Sequence, residues 1–129
     1  MFASYEHFWT PSLRTSLYGS YFELSRNTQG NTNFCNSVLT AAQVAAGMQC
    51  NGDWSMWTVG SRSQWNVTKD FYVGVDVIYN KLNSATINNG AAFVPAANLL
   101  GTGRPALASN TADQDQVSVT WRVHRDIVP

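Results

Sequence analysis

The run Trp57-Thr58-Val59-Gly60-Ser61-Arg62-Ser63-Gln64-Trp65-Asn66-Val67 decides the fold, together with its partner beyond a short polar turn, Phe71-Tyr72-Val73-Gly74-Val75-Asp76-Val77-Ile78-Tyr79-Asn80-Lys81-Leu82. In the first run the odd positions carry Trp57, Val59, Ser61, Ser63, Trp65 and Val67, and the even ones Thr58, Gly60, Arg62, Gln64 and Asn66. In the second, Phe71, Val73, Val75, Val77 and Tyr79 alternate with Tyr72, Gly74, Asp76, Ile78 and Asn80. Successive side chains of a strand point to opposite faces, so a period of two gives each run one apolar and one polar face. Residues 66–70 are then a tight connection between two antiparallel strands.

Working outward, two more segments repeat the pattern. Leu13, Thr15, Leu17, Gly19 and Tyr21 oppose Ser12, Arg14, Ser16, Tyr18 and Ser20; near the end, Val117, Val119, Trp121 and Val123 oppose Gln116, Ser118, Thr120, Arg122 and His124. The expectation is an all-β chain of four antiparallel amphipathic strands, at about 11–25, 54–66, 70–82 and 115–127, within a single domain spanning 1–129. The connections at 27–53 and 83–114 are long, rich in Asn, Ala, Gly and Thr, and without sustained strand pattern. Within the first, 37–46 predicts a short helix, with Asn36 as N-cap and Gly47 just past its end.

The aromatic spacing says what the apolar face meets. Trp57 and Trp65 are eight residues apart on one face, and so are Phe71 and Tyr79. Eight residues cover roughly 26 Å of strand, or about 20 Å across a bilayer at a tilt near 40°. That matches an apolar band edged by aromatic girdles, with Tyr21, Trp57, Trp65, Phe71 and Tyr79 toward lipid. Soluble sandwich strands also alternate, but they are shorter and more closely connected. Long loops on one side and tight turns on the other are the wiring of outer-membrane barrels.

Composition agrees. Charged residues are 12% of the chain, against about a quarter in an ordinary soluble domain, and eight basic residues balance eight acidic ones. No basic surplus supports a nucleic-acid partner. No segment is apolar enough over about 20 residues to span as a helix. The first residues, Met1-Phe2-Ala3-Ser4-Tyr5-Glu6-His7, lack the features of a secretory signal. Cys35 and Cys50 flank one short segment in a cysteine-poor chain, which predicts a disulfide stapling the first loop in an oxidising compartment.

The ordered set of segments has a counterpart. His7-Phe8-Trp9-Thr10-Pro11-Ser12-Leu13-Arg14, Asp53-Trp54-Ser55-Met56-Trp57-Thr58-Val59-Gly60-Ser61-Arg62, Val75-Asp76-Val77-Ile78-Tyr79-Asn80-Lys81-Leu82 and Trp121-Arg122-Val123-His124-Arg125-Asp126 resemble the C-terminal part of alphaproteobacterial porins of the Rhizobiales type. The resemblance implies an outer-membrane, homotrimeric barrel of about sixteen strands through which small hydrophilic solutes or ions diffuse, this chain supplying the last four. It also implies a longer parent, with a signal peptide and an inward-folded constriction loop. Ile127-Val128-Pro129 departs from the terminal aromatic residue such barrels carry.

With lipid on the apolar side, the opposite face lines the pore: Arg14, Ser16, Tyr18, Thr58, Arg62, Gln64, Asp76, Asn80, Ser118, Thr120, Arg122 and His124. The three arginines would tilt selectivity toward anions or pair with acidic groups. A second function class is a secreted soluble all-β binding module presenting its long loops. Catalysis has little support. His7 and His124 would have to meet at one rim, with Glu6 and Asp126 beside them, and no hydrolase, metalloprotease or P-loop pattern is present. Gly101-Thr102-Gly103-Arg104-Pro105 lacks the context of a phosphate loop. Asp113 and Asp115 fall short of a calcium loop. Asn66-Val67-Thr68 is a formal glycosylation sequon of no expected consequence. No cofactor and no metal is expected.

Overall fold

The computed structural model describes residues 1–95 and 107–127. The chain is mostly β, with antiparallel pairing and few helices. Its strands are β1 (Phe2–Thr10), β2 (Leu13–Leu24), β3 (Cys50–Asn51), β4 (Trp54–Thr68), β5 (Phe71–Asn83), β6 (Thr86–Ile87) and β7 (Gln114–Arg125); its helices are α1 (Thr28–Val38) and α2 (Ala41–Ala45). The run at 101–105 and the last two residues lie outside the described residues, as does part of the loop at 83–114.

Two compact units emerge: residues 1–22, 56–81 and 115–129 form one, and residues 23–55 and 82–114 the other. The first is built on a five-stranded sheet of order β1-β2-β4-β5-β7, in which each strand pairs with the next long strand in sequence. This corrects the expected four strands. β1 pairs antiparallel with β2, with Phe2 opposite Ser20, Tyr5 opposite Leu17 and Phe8 opposite Arg14, before an irregularity between Phe8 and Thr10. The strand is poorly marked in the sequence because aromatic residues fall on both parities, Phe2 and Phe8 on one and Tyr5 and Trp9 on the other. Two-residue turns close both hairpins, Pro11-Ser12 and Lys69-Asp70, the latter tighter than the expected 66–70.

Side-chain and backbone contacts fix the remaining registers. Arg14 meets Gln64, Thr15 meets Ser63, and the Asn66 N–H donates to the Ser12 carbonyl, aligning β2 with β4. Thr58 meets Asn80 between β4 and β5. The Asp126 N–H donates to the Asp70 carbonyl and the His124 ring stacks on Tyr72, which aligns the end of β7 with the start of β5.

The second unit holds all the buried apolar side chains among the described residues: Val38, Leu39, Ile87 and Phe93. Phe34, Met48 and Cys50 pack against them. The described parts of the two long connections therefore carry structure of their own, where the sequence shows no sustained strand pattern. β3 pairs antiparallel with β6, Cys50 opposite Ile87 and Asn51 opposite Thr86, joining one connection to the other.

The helix expected at 37–46 is replaced by two. Asn27, not Asn36, caps α1, its side chain accepting from the Gly30 N–H at 2.8 Å. Thr40 caps α2 in a reciprocal capping box with Gln43, so the chain breaks at 39–40. Gly47 does follow the second helix in a left-handed conformation, φ 70°, which suits glycine at a helix end. Cys35 and Cys50 are disulfide-bonded, tying α1 to β3.

Candidate functional site: the two faces of the sheet

Alternation along each strand, combined with the registers, gathers the odd residues of all five strands on one face and the even residues on the other. The odd face is apolar and open. Tyr5, Leu17, Val59, Trp65, Val77, Val117, Val119, Trp121 and Val123 are all exposed, Trp121 to 74% and Val59 to 53%. None of the odd residues of the sheet is buried by another described segment. Such a face on a soluble domain would be its core, and here nothing among the described residues packs on it.

Aromatic side chains collect toward the two ends of this face. Trp57 and Tyr79 meet edge-to-face at 5.1 Å, with Tyr21 on the same face toward the same end. Near the two-residue turns stand Trp9, Trp65 and Phe71. Several polar groups that interrupt the face satisfy one another. Trp9 Nε1 donates to Thr15 Oγ1 at 3.0 Å, Thr15 and Ser63 share a hydrogen bond of 3.0 Å, and the Tyr5 hydroxyl approaches His7 Nδ1 at 3.4 Å. Internal pairing of this kind lets hydroxyl groups sit in an apolar medium at little cost.

The even face is a lattice of hydrogen bonds. Glu6 receives the Ser16 hydroxyl at 3.0 Å and pairs with Arg14 at 3.5 Å. Arg14 also donates to the Gln64 carbonyl oxygen, whose amide nitrogen donates to Asn66. Gln64 is the one buried polar side chain among the described residues, and both ends of its amide are bonded. The Thr58 hydroxyl donates to Asn80 at 2.6 Å. Tyr18 crosses a whole strand: its ring lies over Gly60 of β4, and its hydroxyl donates to Asp76 of β5 at 2.5 Å. Only glycine permits this, because a Cβ at position 60 would overlap the Tyr18 ring. On β7, Ser118, Thr120 and Arg122 share parity with His124, which contacts Asp126 at 2.8 Å and stacks on Tyr72.

Arg14, Ser16, Tyr18, Thr58, Arg62, Gln64, Asp76, Asn80, Ser118, Thr120, Arg122 and His124 thus share one face, and Tyr21, Trp57, Trp65, Phe71 and Tyr79 the other. Glu6, Gly60, Asn66 and Tyr72 also belong to the polar set, although the sequence reading does not count them among the pore-lining residues. Gly60 is legible in retrospect as an even-parity gap beside a large even-parity tyrosine two strands from a carboxylate. The suggested meeting of His7 and His124 does not occur within the sheet. His7 lies on the odd face of β1, edge-on to Trp9 at 4.5 Å, and His124 on the even face of β7, at the other edge. Glu6 is engaged by Arg14 and Ser16. Asp113 accepts the Ser84 N–H, and among the described residues no group of His, Cys, Asp or Glu is arranged to hold a metal. No described helix is long and apolar enough to cross a membrane, which leaves strands untouched as a question.

Comparison with protein-family models, with curated proteins and with solved structures finds no match for this chain.

Proposed function

We propose that this chain is part of the wall of an outer-membrane diffusion channel of the porin kind, its odd face against lipid and its even face toward water. The observation that carries the reading is the five-stranded sheet whose apolar side is bare over its whole width while its polar side is cross-linked by hydrogen bonds. Lipid can cover such a face without a second protein layer. The aromatic groups at both ends of the apolar side, eight residues apart along β4, suit the two interfaces of a bilayer.

Among the described residues the sheet has two open edges, β1 and β7. Unpaired backbone groups are not tolerated in hydrocarbon, and closed barrels begin at about eight strands, so a functioning wall needs further strands on both edges. Homotrimeric assembly and passage of small hydrophilic solutes or ions belong to this same proposal. Arg14, Arg62 and Arg122 place more cationic than anionic groups on the lumenal face, where Glu6 and Asp76 are the acidic members within the strands.

A parity scan tests the reading. Single-tryptophan variants, refolded in micelles containing detergent with brominated chains, carry the probe at Trp121 or, by Thr120→Trp, one residue away. The odd probe is expected to be quenched by bromine and shielded from aqueous iodide, and the even probe the reverse. Equal quenching at both positions, or a monodisperse chain in detergent-free buffer, would sink the proposal. The latter result would favour the soluble binding module, for which the self-contained core and disulfide of the second unit speak.

A further inference from the structure

The second unit contains a partly polar cavity that the proposed wall does not use. An open cavity of about 460 Å³ is lined by Arg26, Asn31, Leu39, Met48 and both cysteines, among others. That is roomy enough for a small organic molecule, which typically occupies a pocket of about 300–1,000 Å³. Arg26 is held at its wall: the guanidinium donates to the Gly52 carbonyl, its carbon stands 4.6 Å from the centre of the Phe34 ring, and the backbone N–H donates to Asp53 at 2.7 Å. A fixed cation in the wall of the cavity that the disulfide also lines favours entry of thiolate, the attacking species in thiol–disulfide exchange.

The bond ties the helix near the start of the first connection to the strand near its end. Cys35 belongs to α1 and Cys50 to β3. Cys50 is also the ladder partner of Ile87 and packs against the four-residue core. Both cysteines lie in the first connection, which meets the second through the β3–β6 ladder, the Asn88 N–H donated to the Gln49 carbonyl at 2.8 Å and the Gln43 amide donated to the Val94 carbonyl at 3.2 Å. A core this small does not hold a fold by burial alone, and covalent staples usually complete it.

We infer that Cys35–Cys50 is a thiol-addressable latch: a small thiol entering the cavity opens it in the folded chain, and opening it releases the second unit while the sheet stays intact. The attacking thiolate forms a bond to one cysteine sulfur and the other leaves as thiolate. A second thiol group of the reagent then displaces the mixed disulfide. The balance is two electrons and two protons, from a dithiol that ends as its own disulfide.

The test uses the whole chain, refolded in detergent, and dithiothreitol as the probe. Reduction is expected to proceed without denaturant, at a rate that does not rise with low denaturant concentrations. Amides of β2, β4 and β5 within the sheet stay protected. Proteolysis inside 23–55 and 82–95 then rises, by roughly a hundred-fold at the limit set by the entropy of a loop of this length. The Cys35→Ser/Cys50→Ser double variant should show the same cleavage with no reductant. The inference is overturned if reduction waits for global unfolding, or if the reduced chain and the double variant keep the protection of the oxidised one.

Discussion

Gly60→Ala is expected to destabilise the sheet, against the usual gain from replacing a strand glycine. An alanine Cβ would overlap Tyr18 Cζ and lie 2.6 Å from its hydroxyl oxygen, so the ring must swing away and release Asp76. A hydrogen bond to a charged group contributes about 1.5–3 kcal/mol, and partial exposure of Tyr18 and Asp76 points to the lower end. Restricting a flexible glycine returns roughly 0.5–1 kcal/mol, so the net loss is about 0.5–1 kcal/mol. Gly74→Ala is the control: its Cβ would meet only the Ser63 carbonyl, at 3.4 Å, so the variant should be neutral or more stable. Tyr18→Phe should cost about 1.5 kcal/mol in the original chain and almost nothing in the Gly60→Ala background, a coupling that a double-mutant cycle reads directly. Urea unfolding in micelles, followed by tryptophan fluorescence, supplies all four corners. The reasoning fails if Gly60→Ala stabilises as Gly74→Ala does and Tyr18→Phe costs the same in both backgrounds.

The two faces should respond oppositely to charge. Val77→Lys and Val119→Lys on the odd face should each cost about 2–4 kcal/mol where the sheet meets lipid, and should lower the detergent needed to keep the chain dispersed in water; Ser118→Lys should change neither. Light scattering against detergent concentration separates them. Asn27→Ala and Thr40→Ala each remove a helix cap and should each lower local stability by about 1 kcal/mol, seen as faster amide exchange confined to α1 or α2. The purified chain alone should give no discrete conductance steps in a planar bilayer, because five strands leave both edges open. Reproducible steps would show that copies close one barrel together.

The sheet was legible where one parity was clean. In β4, β5 and β7 the odd residues are mostly Val, Trp and Tyr and the even ones mostly polar, so strand type and the two faces follow from period alone. β1 escaped because its faces differ by only a few side chains, Ser4 and Glu6 against Ala3, Tyr5 and Trp9. The second unit escaped for another reason. Its helix α1 reads Thr-Gln-Gly-Asn-Thr-Asn-Phe-Cys-Asn-Ser-Val, with no apolar stripe, and is held by its Asn27 cap and by packing of Phe34 and Val38 rather than by propensity. The Thr40-x-x-Gln43 box could have been seen, since both residues needed for it stand in the sequence at the required spacing. The pairing of β3 with β6 could not: two residues on each side give no periodicity, and the partners Cys50 and Ile87 are far apart along the chain.

That last pairing has a bearing on how the chain becomes ordered. Cys50 and Ile87 bracket β4, the Lys69-Asp70 turn and β5, so all four strands nest about one reversal point. Once the turn forms, β4 and β5 can zip outward from it with only short loops to close at each step, and β3 meets β6 after a small further excursion. Pairing β2 with β4 must instead bridge the connection that contains both helices. Loop-closure entropy therefore favours an inside-out order, in which the central hairpin is the template and β2 and β7 are late arrivals on either side of it.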